Sequence, residues 1–162
     1  MAGVVDARLA ELGITLPDVA APVAAYVPAV RTGRYVYTSG QLPFVAGALP
    51  ATGKVGDGEG LVSPDDAARH ARTSALNAVA AVKALVGDLD QVSRIVKVVG
   101  FVASDPSFTG QPAVINGAST VLGEVFGDAG VHARSAVGVA VLPLDSPVEV
   151  EIVVELTDPA DA

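Results

Sequence analysis

Nine consecutive residues near the end of the chain, 148–156, alternate between apolar and mostly acidic side chains. One side of the alternation carries Val148, Val150, Ile152, Val154 and Leu156, and the other carries Glu149, Glu151, Val153 and Glu155. Successive side chains of a strand point to opposite faces of a sheet. The pattern therefore predicts a β-strand with one buried face, and any fold of this chain has to place that face in a core.

Residues 135–142 are predicted to form a second strand, because they are apolar and β-branched, with Gly138 as the one weak position. Turn-forming residues at 143–147 separate the two strands. If the strands pair as a hairpin, Arg134 and Glu149 lie at the same end of it. One interpretation of these two residues is a surface ion pair. The other is a site in which the guanidinium grips a carboxylate and Glu149 handles water or a proton.

The other segments carry helix and strand signals. Apolar residues at helical spacing predict three helices, which Gly13, Gly87 and Gly127 end. Ser63 and Pro64 suit the cap and the first position of the longest helix. In chain order, the predicted elements before the last two strands are a helix at 4–12, strands at 26–31 and 35–39, a helix at 63–86, a strand at 92–102 and a helix at 112–126.

This order predicts an α+β fold, in which two helices pack on one face of a mixed β-sheet and an N-terminal helical extension precedes them. We expect an extension at 1–20, a single domain at 21–157 and a tail at 158–162. Hydrophobic residues make up 51% of the chain and charged residues only 17%, and nothing in the chain covers the second sheet face. Large exposed apolar surfaces usually mark interfaces, so we expect an oligomer.

The segment 47–60 contains five glycines and one proline. Because glycine leaves the backbone many conformations, we predict that this segment is the most mobile internal part of the chain and a lid beside the site. It lacks the Gly-Lys-Ser/Thr sequence of a phosphate-binding loop.

Charge and composition argue against several functions. The formal net charge of −8 disfavours nucleic acids and anionic membranes, which bind basic surfaces. The chain has no Cys and only two histidines, His70 and His132, so neither a disulfide framework nor a metal site is expected. No apolar run reaches the ~18 residues of a membrane span, and no leader pattern is present at the N-terminus. We therefore expect no membrane association and a cytoplasmic location.

Four motifs occur together and in order. They are Tyr35-Val-Tyr-Thr-Ser-Gly-Gln-Leu-Pro43, Asn116 in the last helix, Ala133-Arg-Ser-Ala136, and Leu142-Pro followed by Val148-Glu-Val-Glu151. In these the chain resembles the Rid/YjgF family of reactive-intermediate imine deaminases, also called endoribonuclease L-PSP-like proteins, over roughly residues 21–157. The resemblance implies a chorismate-mutase-like fold, a homotrimer with clefts between subunits, and chemistry without a metal or a cofactor.

The resemblance also implies roles for single residues. Arg134 matches the arginine that binds the substrate carboxylate, and Glu149 matches the acid that handles water or a proton. The other matches line the cleft, and they are Tyr26, Ser39, Gly40, Asn116 and Ala136. Ala136 stands where a cysteine is common, which argues against thiol chemistry. The N-terminal extension and the segment 47–60 are longer than in short members and suggest a side branch.

The implied activity is hydrolysis of 2-imino acids and their enamines to 2-keto acids and ammonia, with Arg134 holding the carboxylate of the imine. Positioning and one acid–base group are sufficient, because such substrates are already reactive. One alternative is a regulatory trimer that binds small carboxylates without turnover. Ribonuclease activity, which is linked to the family, is a weaker alternative, because the net charge is −8 and no basic stripe is present.

Overall fold

A computed structural model describes residues 3–19 and 25–157. The predicted boundary between extension and domain, at residues 20 and 21, and the predicted tail at 158–162 lie outside the described residues. The described chain forms one five-stranded mixed sheet and three α-helices. The predicted α+β fold, with two helices on one sheet face and a helix at the N-terminus, is confirmed.

The five strands are β1 (Ala29–Thr32), β2 (Tyr35–Thr38), β3 (Val92–Ala103), β4 (Ala133–Val139) and β5 (Val148–Leu156), and they lie in the order β1-β2-β5-β3-β4. Strand β5 pairs antiparallel with β2 and with β3. Strand β4 pairs in parallel with β3, at the edge of the sheet. A tight turn at Gly33, where φ is 58°, joins β1 to β2, as predicted.

The predicted hairpin of the last two strands is wrong. Strand β3 lies between β4 and β5, which do not pair with each other. The reason is the helix that precedes β4: a strand, a helix and a second strand form a crossover whose strands are parallel neighbours. The connection from β4 to β5 then passes across the end of β3. Strand β4 is also shifted toward the N-terminus relative to the predicted 135–142, so that Arg134 belongs to the strand.

The helices are α1 (Val4–Glu11), α2 (Pro64–Val86) and α3 (Gln111–Phe126). Ser63 caps α2 by accepting a hydrogen bond from the backbone N–H of Asp66, as its position predicts. Helices α2 and α3 pack closely because Gly117 has no side chain. A Cβ at Gly117 would lie 2.7 Å from the carbonyl carbon of Ala68 on α2.

The core lies between this helix pair and one face of the sheet. Alternate residues of β5 enter it, as predicted, and they are Val148, Val150, Ile152, Val154 and Leu156. The apolar faces of the two long helices are buried as well, with Ala67, Ala71, Ala75, Ala78, Val79 and Val82 from α2 and Ile115, Ala118, Val121, Leu122 and Val125 from α3; Val86, at the end of α2, is half-buried. The small side chains of α2 let it approach the sheet closely, since an interior is packed without large voids.

The glycine-rich segment 47–60 is anchored at its middle. Val55 is fully buried, its N–H donates to the Ala103 carbonyl oxygen at 2.7 Å, and its own carbonyl accepts from Asp105 at 2.9 Å. Gly53 N–H donates to the Asp145 carbonyl oxygen. A lid that moves as one piece over 47–60 would have to break these bonds, and the mobility of this segment stays a prediction.

Candidate functional site

Arg134 lies on the edge strand β4 and bonds to helix α3. Its Nη1 donates to Asn116 Oδ1 at 2.8 Å and to Ser119 Oγ at 3.2 Å, and its Nη2 donates to the Pro112 carbonyl oxygen at 3.2 Å. The structure therefore brings together Arg134 and Asn116, two of the predicted site residues. Strand β4 supplies the guanidinium, and the first turns of α3 supply the acceptors that orient it.

Two residues that sequence reasoning did not select extend this network. Ser119 Oγ lies 2.9 Å from Nε2 of His132, and Nδ1 of that ring lies 2.6 Å from the Gly130 carbonyl oxygen. Two spacings could have identified them. Ser119 is three residues after Asn116 on α3, and such residues share a helix face. His132 is two residues before Arg134 in a segment that leads into a strand. We call Asn116, Ser119, His132 and Arg134 the arginine cluster.

The guanidinium keeps free donors for a ligand. An arginine side chain has five N–H groups, and the three bonds above use two on Nη1 and one on Nη2. Within the described residues, the Nε–H and the second N–H of Nη2 have no acceptor. Two parallel N–H groups of this kind make the two-pronged contact with a carboxylate, and the Arg134 side chain is only half-buried.

Glu149 lies at the start of β5, on the sheet face that carries no helix. Burial raises the pKa of its carboxyl group above the usual range, and the charge of Glu151 raises it further. Gly40 lies directly against this carboxylate, since a Cβ at Gly40 would be 2.7 Å from Glu149 Cδ. A carboxyl group with a raised pKa is partly protonated nearer neutral pH and can therefore give and take a proton.

Tyr26 and Ser39 line an open depression of about 640 Å³, and Ser39 directly precedes Gly40 in the chain. Ser39 Oγ donates to the Val27 carbonyl oxygen at 2.6 Å, so its hydroxyl fixes the chain entering β1. Tyr26 is 58% exposed. The structure thus brings Tyr26 and Ser39 to one depression and Gly40 against Glu149. We call these four residues the carboxylate cluster, in which the sequence neighbours Ser39 and Gly40 link the two pairs.

Ala136 is two residues after Arg134 on β4 and lies on the same side of that strand. It is paired with Gly100 of β3 and packs partly buried against the core. Its methyl group adds no hydrogen-bonding atom to the arginine cluster. Any polar contact at this position is therefore made by its backbone.

The two clusters are separated within one chain. Arg134 is in register with Val98, and Glu149 is in register with Phe101. Three residues along β3 and two strand spacings across the sheet place the two Cα atoms roughly 14 Å apart. Because the offset along β3 is odd, the two side chains leave opposite faces of the sheet. The predicted surface ion pair of Arg134 with Glu149 is thus absent from the described chain.

In residues 3–19 and 25–157, no group of three or more His, Asp or Glu side chains comes together as a potential metal site. Over the same ranges, no helix has both the length and the apolar character needed to cross a bilayer.

The chain is similar to a known family over nearly its whole length. Residues 6–156 match the family model described as "YjgF/chorismate_mutase-like, putative endoribonuclease". Protein TCP17 of Trypanosoma cruzi is 48% identical over 159 residues, which are 96% of each chain.

Solved structures share the fold. Protein Atu1372 from Agrobacterium tumefaciens, whose function is unknown, is 44% identical with a TM-score of 0.83, and the match covers 94% of this chain and 92% of that one. TdcF of E. coli, solved with bound serine, is 27% identical with a TM-score of 0.60 over 84% of this chain and 91% of that one. The first likeness concerns nearly the whole chain, and the second concerns the common domain.

Proposed function

From the premise that this chain belongs to the YjgF/chorismate mutase-like family, we propose that it hydrolyses 2-imino acids and their enamine tautomers to 2-keto acids and ammonia. The observation that carries the proposal is the state of Arg134. Its guanidinium is held by three hydrogen bonds to α3 and still has two N–H groups free. A fixed, half-buried fork of this kind is suited to the carboxylate that every 2-imino acid carries.

Imine hydrolysis needs few groups besides the arginine that binds the substrate carboxylate. Water adds to the C=N carbon while the imine nitrogen takes up a proton, which gives a carbinolamine. That intermediate loses ammonia as its hydroxyl proton is removed, which leaves the C=O of the keto acid. One carboxyl group that takes a proton from water and returns it to nitrogen serves both steps. Glu149, whose pKa is raised by burial, is the group that we assign to this role.

The proposal includes a site shared between copies of the chain. A four-carbon imino acid is roughly 6 Å long by ordinary bond lengths, and it cannot reach Arg134 and Glu149 on opposite faces of one sheet. The arginine cluster of one copy and the carboxylate cluster of a second copy can meet across an interface, and a ring of such head-to-tail contacts closes as a homotrimer. Tyr26, Ser39 and Gly40 would then line the same cleft as Asn116 and Ala136.

The sheet face without helices supports assembly. Several large apolar side chains on it are more than one-third exposed, namely Val30, Tyr35, Tyr37 and Val137. They share this face with Glu149, through the rows Val137–Phe101–Glu149 and Val30–Tyr37–Val153. No described element of the chain covers them, and apolar surfaces of this kind are typical of interfaces.

The direct test generates 2-iminopropionate or 2-iminobutyrate in place, with a pyridoxal-phosphate dehydratase, and follows keto-acid release with and without the protein. Light scattering at micromolar concentration measures the mass of the assembly in the same buffer. We expect faster keto-acid release and a trimer. Release at the spontaneous rate would overturn the enzymatic proposal, and a monomer would overturn the shared site.

A second candidate is a trimer that binds small carboxylates without turnover. The bound serine of TdcF favours it, since serine carries the same carboxylate that Arg134 would hold. Binding of 2-oxobutyrate without any acceleration of imine hydrolysis would select this candidate. Ribonuclease activity appears in the description of the family, but the net charge of −8 weighs against it, because RNA binds basic surfaces. A cytoplasmic location is part of the proposal and remains a prediction from the sequence.

A further inference from the structure

In the arginine cluster each group donates a hydrogen bond to the next, from Arg134 through Ser119 and His132 to the Gly130 carbonyl oxygen. A carbonyl oxygen only accepts, so Nδ1 of His132 carries the proton that it shares with Gly130. Nε2 of the neutral ring is then an acceptor, and the Ser119 hydroxyl donates to it. The Ser119 oxygen, with its own hydrogen committed, accepts from Nη1 of Arg134.

This chain of bonds is fixed at its Gly130 end and partly shielded from water in its middle. Gly130 is buried, and a Cβ on it would lie 2.8 Å from the carbonyl carbon of Leu122, so its backbone is held against α3. Ser119 and His132 are half-buried, whereas Asn116 is exposed. Water competes with Asn116 for Arg134 more than it competes with Ser119, since an exposed polar group can exchange its partner for solvent.

We propose that Ser119 and His132 are positioning residues, which hold the guanidinium of Arg134 with its two free N–H groups aimed at a ligand carboxylate. The inference rests on the proposed function in that it takes a carboxylate as the ligand of Arg134. An arginine loses much rotamer freedom when it grips a ligand, and a guanidinium that is already oriented loses less. Ser119 alone could rotate its hydroxyl, and the ring of His132 removes that freedom.

The pairing of Ser119 with His132 also resembles the start of a nucleophilic dyad, but its surroundings favour positioning. A serine nucleophile presents its oxygen to the substrate. Ser119 instead directs that oxygen to the cation of Arg134 at 3.2 Å, which occupies a lone pair and draws electron density away from it.

The test compares ligands with and without the carboxylate charge that Arg134 would bind. Calorimetry measures the Kd of 2-oxobutyrate and of its neutral amide, 2-oxobutanamide, for the parent protein and for Ser119→Ala, His132→Ala, His132→Gln and Arg134→Ala. For Ser119→Ala and His132→Ala we expect the Kd of the acid to rise roughly 10- to 150-fold, as for the loss of a hydrogen bond to a charged group. The Kd of the amide stays the same. A merely structural defect would weaken both ligands.

Two comparisons sharpen the result. His132→Gln places an amide oxygen near the position of Nε2, so we expect its Kd for the acid to stay within about threefold of the parent value. The double variant of Ser119→Ala with His132→Ala should bind the acid no worse than either single variant, because the two residues act in one chain of bonds. Thr120→Ala, at an exposed neighbouring position on α3, is the matched control.

NMR separates failure of the inference from failure of the proposed function. The ¹⁵N–¹H signals of the Arg134 guanidinium report its rotation without any ligand, and we expect faster rotation in Ser119→Ala and His132→Ala. If both variants keep the rotation rate and the acid affinity of the parent while Arg134→Ala loses that affinity, the positioning role is overturned and the carboxylate grip stands. If the parent does not prefer acid over amide, the proposed function fails, and unchanged guanidinium rotation would then also overturn the positioning of Arg134.

Discussion

Gly40 and Glu149 touch in a way that leaves no room for a side chain on Gly40. A Cβ built there would lie 2.7 Å from Glu149 Cδ and closer still to Oε1. Next to them, Gln41 and Val150 exchange two backbone hydrogen bonds of 2.8 and 3.0 Å. The backbone at Gly40 thus cannot move away, and it fixes the place of the carboxylate that we assign to proton transfer.

Gly40→Ala should therefore damage activity far more than stability. The carboxylate is the flexible end of the Glu149 side chain and can rotate away from the new methyl group, so folding loses little. A displacement of about 1 Å at a catalytic group costs about 10²-fold in rate, which the imine assay measures. Gly123→Ala is the matched control, because nothing lies within 4 Å of a Cβ at that helical position, and it should raise stability by about 0.5–1 kcal/mol. Equal activities of the two variants would show that the position of Glu149 does not matter.

Local signals in the sequence were sufficient to predict the helices and strands themselves. Ser63 and Pro64 set the start of α2 within one residue, and Gly87 and Gly127, with φ of 83° and 59°, end the two long helices as expected. The alternation at 148–156 gave the buried face of β5 correctly. Each of these signals depends on neighbours in the sequence, and none depends on which strand lies beside which.

Strand pairing depends on distant residues, and there the prediction of a hairpin was wrong. The turn chemistry at 143–147 is compatible with a hairpin, but the crossover through α3 places β4 on the far side of β3. That error brought Arg134 and Glu149 to the same end of one hairpin, whereas they lie on opposite faces. The contacts of Ser119 with His132 and Arg134 also depend on α3 packing beside β4, and in the sequence only the spacings to Asn116 and Arg134 pointed to them.

Replacing Arg134 tests the carboxylate grip. Arg134→Lys should lose nearly as much kcat/KM as Arg134→Ala, because lysine cannot make two parallel hydrogen bonds to a carboxylate. The expected loss is on the order of 2–5 kcal/mol of transition-state stabilisation if the charge pair is shielded from water. The control is Arg69→Ala on α2, where the side chain is exposed and activity should not change. Wild-type rates in both Arg134 variants would show that Arg134 does not bind the substrate carboxylate.

A mixing experiment tests whether the site is shared. Arg134→Ala and Glu149→Gln each remove one half of every site. In a randomly mixed trimer, however, about one interface in four pairs an intact Arg134 from one copy with an intact Glu149 from another. Unfolding and refolding the two variants together at equal amounts should therefore restore up to about a quarter of the parent activity, and refolding each alone should restore none. No recovery in trimers shown to be mixed would mean that both residues act from one chain.

Asp90 ties the N-terminal helix to the domain. Its carboxylate accepts hydrogen bonds from the N–H groups of Val4 and Val5 at 2.7 and 2.8 Å, so it caps α1 from a distant part of the chain. Asp90→Ala should lower the free energy of unfolding by about 1 kcal/mol, as for the loss of a helix cap, and should speed hydrogen exchange in α1. Asp90→Asn keeps an acceptor and should lose less. Because α1 bonds to α3 at the Glu124 carbonyl oxygen, beyond the residues of the arginine cluster, imine hydrolysis by either variant should match the parent. A large loss of rate would assign the helix a part in the site.

The raised pKa of Glu149 predicts that replacing this residue changes stability and activity in opposite directions. Burial of its carboxyl group, with the nearby charge of Glu151, raises the pKa above the ordinary value of 4.5, so the folded state binds a proton that the unfolded state has already released. The stabilising contribution of the protonated form is complete below about pH 4.5 and is lost as the pH rises through the folded-state pKa. Glutamine resembles the protonated form at every pH.

Glu149→Gln should therefore unfold at the same temperature as the parent near pH 4 and at a higher temperature near pH 8. The difference in free energy should stay under about 1 kcal/mol, because the side chain is only half-buried and solvent screens its charge. The same variant should slow imine hydrolysis by roughly 10²–10⁴-fold if Glu149 transfers a proton. Glu151→Gln, on the same strand face, should lose much less of its rate. A Glu149→Gln variant that is less stable than the parent at pH 8 would mean that an opposite charge in the assembly, rather than burial, controls this carboxylate.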